Sequence, residues 1–450
     1  MAKNSLKWLA LLGGVTLGAA SMAVAQDSGA LIDALVRKGV LTDQEAEDVR
    51  ADLSRDYSTQ TSAGKLDISS AVTKLKIYGD ARVRYQYDNE QPNPAGAAND
   101  RDRNRFRYRV RLGFAADLGP KWTAALRLET ASGATSTNAD LGAGTDNFDK
   151  SADVVYFGQA YLNYRNNDVL GADTVDIRLG KLPHKFFNPG VNGFWIDSDI
   201  NFEGVAQELV YSDIGLKDST LAIRAGQFIL NNNATNASSL TNGAVDPSLL
   251  LMLQAEYGTK SWKVAPTIVA FAAPSDHDLA ANTPALQAND TNVYNDLVTF
   301  LVPFEYTMKL GAKPLGFYAT YGYNFKGDER AQRLSANAAP QPVDEDSQIY
   351  NFGVRYGENK AAGDYQVLAE YRHVGNGSYS SLLLDSDFNG GLLNGKGVIL
   401  SGTYNVTNAI TTTVTYFNSF NVENDRPTGA SRGNGFGQAQ VLQIDLSAKF

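Results

Sequence analysis

Arg105-Phe106-Arg107-Tyr108-Arg109-Val110-Arg111-Leu112-Gly113-Phe114 alternates arginine with aromatic or aliphatic residues. Period two is the period of a β-strand, whose successive side chains point to opposite faces. Arg105, Arg107, Arg109 and Arg111 share one face, and Phe106, Tyr108, Val110, Leu112 and Phe114 share the other. Were the arginine face turned to hydrocarbon near a bilayer midplane, each arginine would cost roughly 2–4 kcal/mol. Four would cost on the order of 8–16 kcal/mol, comparable to the whole stability of an ordinary domain. The arginines therefore face water and the apolar row faces lipid. At a rise of about 3.4 Å per residue the arginines form a ladder stepping by roughly 7 Å and spanning about 20 Å.

The flanking segments repeat the division. Before the ladder, Lys76, Asp80, Arg82 and Arg84 oppose Ile77, Ala81, Val83 and Tyr85; after it, Thr123, Arg127 and Glu129 oppose Trp122, Ala124, Leu126 and Leu128. The end of the chain sets Leu442, Ile444, Leu446, Ala448 and Phe450 against Gln443, Asp445 and Lys449. Sixteen candidate strands begin near residues 74, 103, 121, 153, 173, 203, 219, 248, 261, 296, 314, 346, 363, 396, 408 and 438. Alternation is weaker in the eighth to eleventh. Seven short connections (such as Gly119-Pro120, Gly258-Thr259-Lys260 and Asn405 to Thr407) interleave with eight long ones, at 88–102, 131–152, 182–202, 231–247, 274–295, 326–345, 375–395 and 421–437. Strict alternation of short turns and long loops is the pattern of an even-stranded membrane barrel with both termini on the short-turn side. In hydrocarbon every backbone polar group must be paired within the protein, so the sheet must close. The predicted fold is all-β: a transmembrane antiparallel β-barrel of about 16 strands, wide enough for a water-filled lumen.

The N-terminus reads differently. Lys3 and Lys7, the apolar run Trp8 to Ala20 and Ala23-Val24-Ala25 form a secretory signal pattern over residues 1–25; an uncleaved anchor is the competing reading. Removing it takes away two lysines and no acids, leaving 40 − 2 = 38 bases against 49 acids and a net charge of −11. Residues 26–60 read as a short helical segment, with Leu31, Ile32, Leu35 and Val36 at helical spacing and Thr42-Asp43-Gln44-Glu45 as a capping box. It is expected in the periplasm, with a plug or a self-assembling segment as alternatives. A linker at 61–73 leads to the barrel at 74–450. Beyond residue 25 no apolar run reaches 18 residues, so no helix is expected to span. Cysteine is absent, and the 41 glycines and 22 tyrosines suit tight strands and interfacial aromatics. The acidic balance argues against a nucleic-acid partner.

The pore-lining basic residues expected from this register are Arg82, Arg84, Arg105, Arg107, Arg109, Arg111, Arg127, Arg178 and Arg224. Some could instead pair with lumen carboxylates such as Glu129 and merely fill the wall. The long connection 182–202 carries Phe186, Phe187, Phe194 and Trp195, then Asp197, Asp199 and Glu203. So aromatic a loop is expected to fold into the barrel and present those acids to the arginines across a narrowed lumen. Opposed charge rows focus a field there. The alternative is a loop capping the rim or packing on a neighbouring subunit. His184, His277 and His373 lie in or beside long connections without metal-type spacing and read as surface or rim residues. His373 near Asp385 and Asp387 is the one loose enzyme-like arrangement. Asp197/Asp199 and Asp385/Asp387 lack the EF-hand spacing for calcium. No catalytic activity, cofactor or metal is expected.

Four features together resemble the bacterial "putative porin" family of outer-membrane barrels. They are Leu35-Val36-Arg37-Lys38-Gly39-Val40-Leu41-Thr42 after the signal, the arginine-alternating strand, Trp195-Ile196-Asp197-Ser198-Asp199-Ile200-Asn201-Phe202-Glu203-Gly204, and Asp385-Ser386-Asp387-Phe388-Asn389-Gly390-Gly391. The resemblance covers nearly the whole chain. It implies a Gram-negative outer-membrane porin passing small hydrophilic solutes and ions, commonly as a homotrimer, among outer-membrane lipid and lipopolysaccharide. Phe450 at the end of an alternating apolar row resembles the C-terminal signal read by the barrel-assembly machinery. The basic rows predict a weak anion preference. Phosphate-selective porins share the layout, but no matching lysine-rich cluster is present. The competing reading is a plugged structural or adhesive barrel linked to the cell wall.

Overall fold

A computed structural model describes residues 32, 35–42, 44–52, 68–91, 101–131, 136–143, 154–169, 171–231, 247–272, 295–335, 346–422 and 437–450. The chain divides into two units, residues 1–69 and 70–450. In the first, residues 44–52 are helical. The capping box forms as its residue types require: the Glu45 N–H donates to Thr42 Oγ1 at 3.3 Å and the Thr42 N–H to Glu45 Oε2 at 2.9 Å. The signal segment 1–25 and most of the linker lie outside the described residues.

The second unit is a closed antiparallel meander. Its spanning strands are β1 Lys74–Gln91, β2 Arg101–Asp117, β3 Trp122–Ala131, β4 Val154–Val169, β5 Ala172–Pro183, β6 Asn201–Ser212, β7 Thr220–Asn231 and β8 Ser248–Gly258. β9 is interrupted at Ala265-Pro266 into Trp262–Val264 and Thr267–Ala272, proline having no N–H for the ladder. The remainder are β10 Val298–Leu310, β11 Lys313–Asn324, β12 Gln348–Gly357, β13 Tyr365–Val374, β14 Gly395–Asn405, β15 Ile410–Asn421 and β16 Gln438–Lys449. A two-residue bridge, Ala139–Asp140, pairs a long loop with β2. Each strand pairs with its chain neighbours, and β16 pairs with β1 from Asp80↔Lys449 to Gln91↔Gln438. Beyond it, Phe450 and Gly79 exchange both backbone hydrogen bonds (2.9 and 3.1 Å), so the last residue helps seal the seam. The barrel thus has sixteen strands, each starting within two residues of its sequence-predicted position.

The outer face is the apolar one. Ile77, Val83, Phe106, Leu179, Phe352, Leu400 and Leu446 are each more than half exposed, an arrangement stable only against lipid. Inside, two glycines make room for a neighbouring ring. A Cβ on Gly113 would lie 2.4 Å from the Tyr78 ring, and one on Gly353 would lie 2.2 Å from the Tyr318 ring. Both tyrosines lie flat over a glycine of the adjacent strand.

One region departs from polar-in, apolar-out. Leu250 and Met252 of β8, Val269 and Phe271 of β9, Leu301 of β10 and Ile349 of β12 point inward yet are buried and apolar. They form one core with Phe186, Phe194, Trp195 and Ile196 of loop 184–200 and with Tyr379, Leu383, Leu384 and Leu393 of loop 375–394. Both loops fold into the barrel and cover this wall. These strands are apolar on both faces because one meets lipid and the other meets loop. That is why alternation is weak along β8, β9 and β10 in the sequence.

Candidate functional site

Loop 184–200 is anchored by side chains that satisfy its backbone. Asn188 Oδ1 accepts from the N–H groups of Phe194 and Trp195 (2.8 and 3.1 Å), and its amide donates to the Ile196 carbonyl (2.6 Å). From β8, Gln254 accepts from the Phe187 N–H at 2.7 Å and donates to the Phe187 carbonyl at 3.1 Å. From β13, Glu370 accepts from the Val191 N–H at 2.8 Å, while the Arg372 guanidinium donates to the Val191 carbonyl. Trp195 is fully buried. Each such large apolar side chain contributes roughly 1.5–3 kcal/mol by leaving water.

Loop 375–394 is tied to the first. The Asp197 N–H donates to the Leu383 carbonyl at 2.8 Å, and the Asn192 amide donates to Asp385 and Asp387, both at 3.3 Å. Helix α1, Gly327–Ser335, holds it from behind: Arg330 donates to the Tyr379 carbonyl at 2.7 Å. Sequence reasoning missed the inward course of this loop. The signal was there, because Leu382-Leu383-Leu384, Phe388 and Leu392-Leu393 make it as apolar as loop 182–202.

Together the two loops face the arginine wall across a cavity of about 310 Å³. On the wall side lie Arg82 and Arg84 of β1 and Arg107, Arg109 and Arg111 of β2, adjoined by Ser136, Thr137 and Asn138. On the loop side lie Asn192, Asp197, Ser198 and Asp199, with Asp385, Ser386 and Asp387. The lining is almost wholly polar, and five arginines meet four aspartates.

The ladder is heavily paired. Arg84 makes a two-pronged contact with Asp445 of β16 (2.6 and 2.8 Å) and approaches Asp387 at 3.5 Å. Arg105 bonds Asp88, and Arg107 bonds Asp140 at 2.6 Å. Arg109 and Arg111 share Asp80 on the wall and Asp199 on the loop, the latter at 3.3 Å from each. Burial works to raise the Asp199 carboxyl, but Arg109, Arg111 and Arg82 together hold it below the usual carboxylate range. Asp197 goes the other way. Burial, then Asp199 and Asp387, push it up to about 7 against the pull of Arg372. Asp385 is also raised, by burial and then by Asp387 and Asp197, although Arg372 stands 3.7 Å away.

Four arginines of the expected set do not line this cavity: Arg105, paired with Asp88, and three others. Arg127 pairs with Glu129 at 2.8 Å, Arg178 with Asp176 at 3.2 Å, and Arg224 with Glu208 and Glu256 at 2.9 and 2.6 Å. Glu203 needs correction. It belongs to β6, where Phe202 turns inward to stack on Phe228, so Glu203 points outward, 61% exposed, and pairs with Lys181. The histidines differ as well. His184 packs against Phe186 and Phe202, its imidazole pushed down to about 4 by burial and by Arg178. His373 stacks on Tyr350 and bonds Asp346 at 2.6 Å rather than Asp385 or Asp387. His277 lies outside the described residues.

No curated protein matches this chain. Two solved structures are similar at low identity. Salmonella typhi OmpF, solved in complex with daunomycin, is 13% identical, with 86% of this chain and 100% of that one covered and a TM-score of 0.46. Pseudomonas putida OprB in its high-pH structure is 13% identical, with 84% and 94% covered and a TM-score of 0.49. The closed barrel rests on its own strand register, independently of either. The family model described as "Putative porin" matches residues 81–268 and 308–450, running from within β1 into β9 and, past most of β10, from the end of β10 through β16. With that match and a polar, charge-lined interior inside an apolar-faced barrel, the chain belongs to the "Putative porin" family and forms a porin channel.

Proposed function

We propose that this porin sits in the bacterial outer membrane and passes small hydrophilic solutes and ions by diffusion, with a weak preference for anions. The observation that carries the reading is the cavity between the arginine wall and the two inward loops. There five arginines meet four aspartates, two of which burial drives toward their neutral form. The preference is weak because Asp80, Asp140 and Asp445 neutralise much of the ladder from the wall itself. Residues 1–25 act as a cleaved secretory signal and 26–60 as a periplasmic segment, joined by 61–73 to the barrel. Phe450, two-thirds exposed at the seam, suits recognition by the barrel-assembly machinery. Homotrimers embedded among lipid and lipopolysaccharide complete the picture, and no catalytic role is assigned.

The test is reversal potential across a planar bilayer in a salt gradient, for the native protein and for Arg107→Ser and Arg109→Ser. Discrete conductance steps with an anion preference that falls in both variants support the proposal. Conductance with unchanged selectivity removes the ladder from the ion path. Silence from inserted, folded protein sinks the open channel.

A further inference from the structure

Most charges lining the cavity are spoken for, and the two least neutralised are of opposite sign, one on the wall and one on the loop. Among the arginines, Arg107 has every nitrogen in a hydrogen bond, and Arg84, Arg109 and Arg111 each hold a carboxylate within 3.0 Å. Arg82 differs. Among the described residues its one carboxylate within 4 Å, Asp445, is 3.8 Å away and already clasped by Arg84. Its other partner there is the neutral Asn138, and its buried Nε has none among them. Among the aspartates, Asp199, Asp385 and Asp387 each have an arginine within 4 Å. Among the described residues Asp197 has no basic group within that distance. One of its oxygens accepts from the Asp199 N–H at 2.9 Å, leaving the other to the cavity.

A weakly neutralised guanidinium on the wall and a carboxylate without a basic partner among the described residues on the loop are complementary to a solute carrying both charges. Water-filled space of this kind solvates single ions adequately, but a molecule that answers both poles gains two charge-assisted hydrogen bonds at once. A volume of about 310 Å³ is at the small end of ligand-binding cavities. The lining offers too little apolar surface for a large hydrophobic body. We propose that the cavity is a saturable subsite for small zwitterions of the amino-acid type, whose carboxylate meets Arg82 and whose ammonium meets Asp197. The subsite rests on the porin reading, since solutes reach it only through an open lumen. Burial of Asp197 favours its neutral form, so occupancy by an ammonium group and ionisation of Asp197 reinforce each other.

The experiment measures block of the KCl current through single channels by added solute. Glycine and 4-aminobutyrate, zwitterions of different charge separation, are compared with propionate and propylammonium, which carry one charge each. At least one zwitterion is expected to block saturably at concentrations where neither single-charge probe does. Asp197→Asn and Arg82→Gln are each expected to raise its half-blocking concentration tenfold or more. Asn retains an acceptor for the Asp199 N–H, and the KCl steps of each variant report that it is folded. Equal block by propionate, unaffected by Asp197→Asn, overturns the proposal in favour of a plain anion site. Intact KCl conductance with no saturable block by any probe overturns it as well. Absence of KCl conductance refutes the porin reading first, and the subsite with it.

Discussion

Asp199→Asn isolates the charge of the inward loop from its shape. Asp199 accepts from Arg109 and Arg111, each at 3.3 Å, and from Thr137 Oγ1 at 3.1 Å. Asparagine is nearly isosteric and its amide oxygen still accepts, so the loop should stay seated while one negative charge disappears. For an ion passing about 7 Å away through water, one unit charge is worth roughly 0.6 kcal/mol. Screening at about 0.1 M salt, with a Debye length near 10 Å, cuts this to about 0.3 kcal/mol. Those energies correspond to factors of about 1.6 to 2.7 for one ion. The lost charge helps anions as much as it hinders cations, so the anion-to-cation permeability ratio should rise about 3- to 7-fold. Reversal potential in a KCl gradient reads this directly. An unchanged ratio, with unit conductance intact, would show that ions do not pass beside Arg109 and Arg111.

Other consequences follow from single contacts. Trp195→Ala removes a fully buried side chain at the centre of the loop core, at a cost of about 3–5 kcal/mol. The barrel should keep its heat-modifiable gel shift while unit conductance grows and flickers; native-like conductance would show that the loop does not limit the lumen. Gly113→Val places a side chain into the Tyr78 ring and should lower the yield of folded barrel, with Tyr78→Ala restoring it in the double variant. Failure of that rescue would locate the defect elsewhere. Asp197, pushed up to about 7, gains its charge as pH rises from 6 to 8. Asp199, Asp385 and Asp387 from the loops and Arg372 from β13 act on it, and Arg82 and Arg84 of β1 line the same cavity. Anion preference should therefore fall across that window, and Asp197→Asn should flatten the dependence.

The sequence by itself determined the barrel, its strand positions and which face is wet. Those rest on a local rule: side chains alternate along a strand, and an arginine row in hydrocarbon is too costly to occur. Arg84, Arg107, Arg109 and Arg111 could be placed on the lumen side from their own neighbours alone. What the arginines meet there was decided only in three dimensions. Arg84 finds Asp445 from 361 residues away, at a seam that exists only once the sheet has closed. Arg109 and Arg111 find Asp199 because a loop anchored by Asn188, Gln254 and Glu370 turns inward. Glu203 was grouped with the acids of the constriction loop, but it lies in β6 beside inward-facing Phe202, and a single step along a strand flips a side chain to the other face. The weak alternation of β8 to β11 read as uncertainty in the sequence. It is instead the imprint of two loops covering that wall, and loop packing is a tertiary event that no periodicity within a strand encodes.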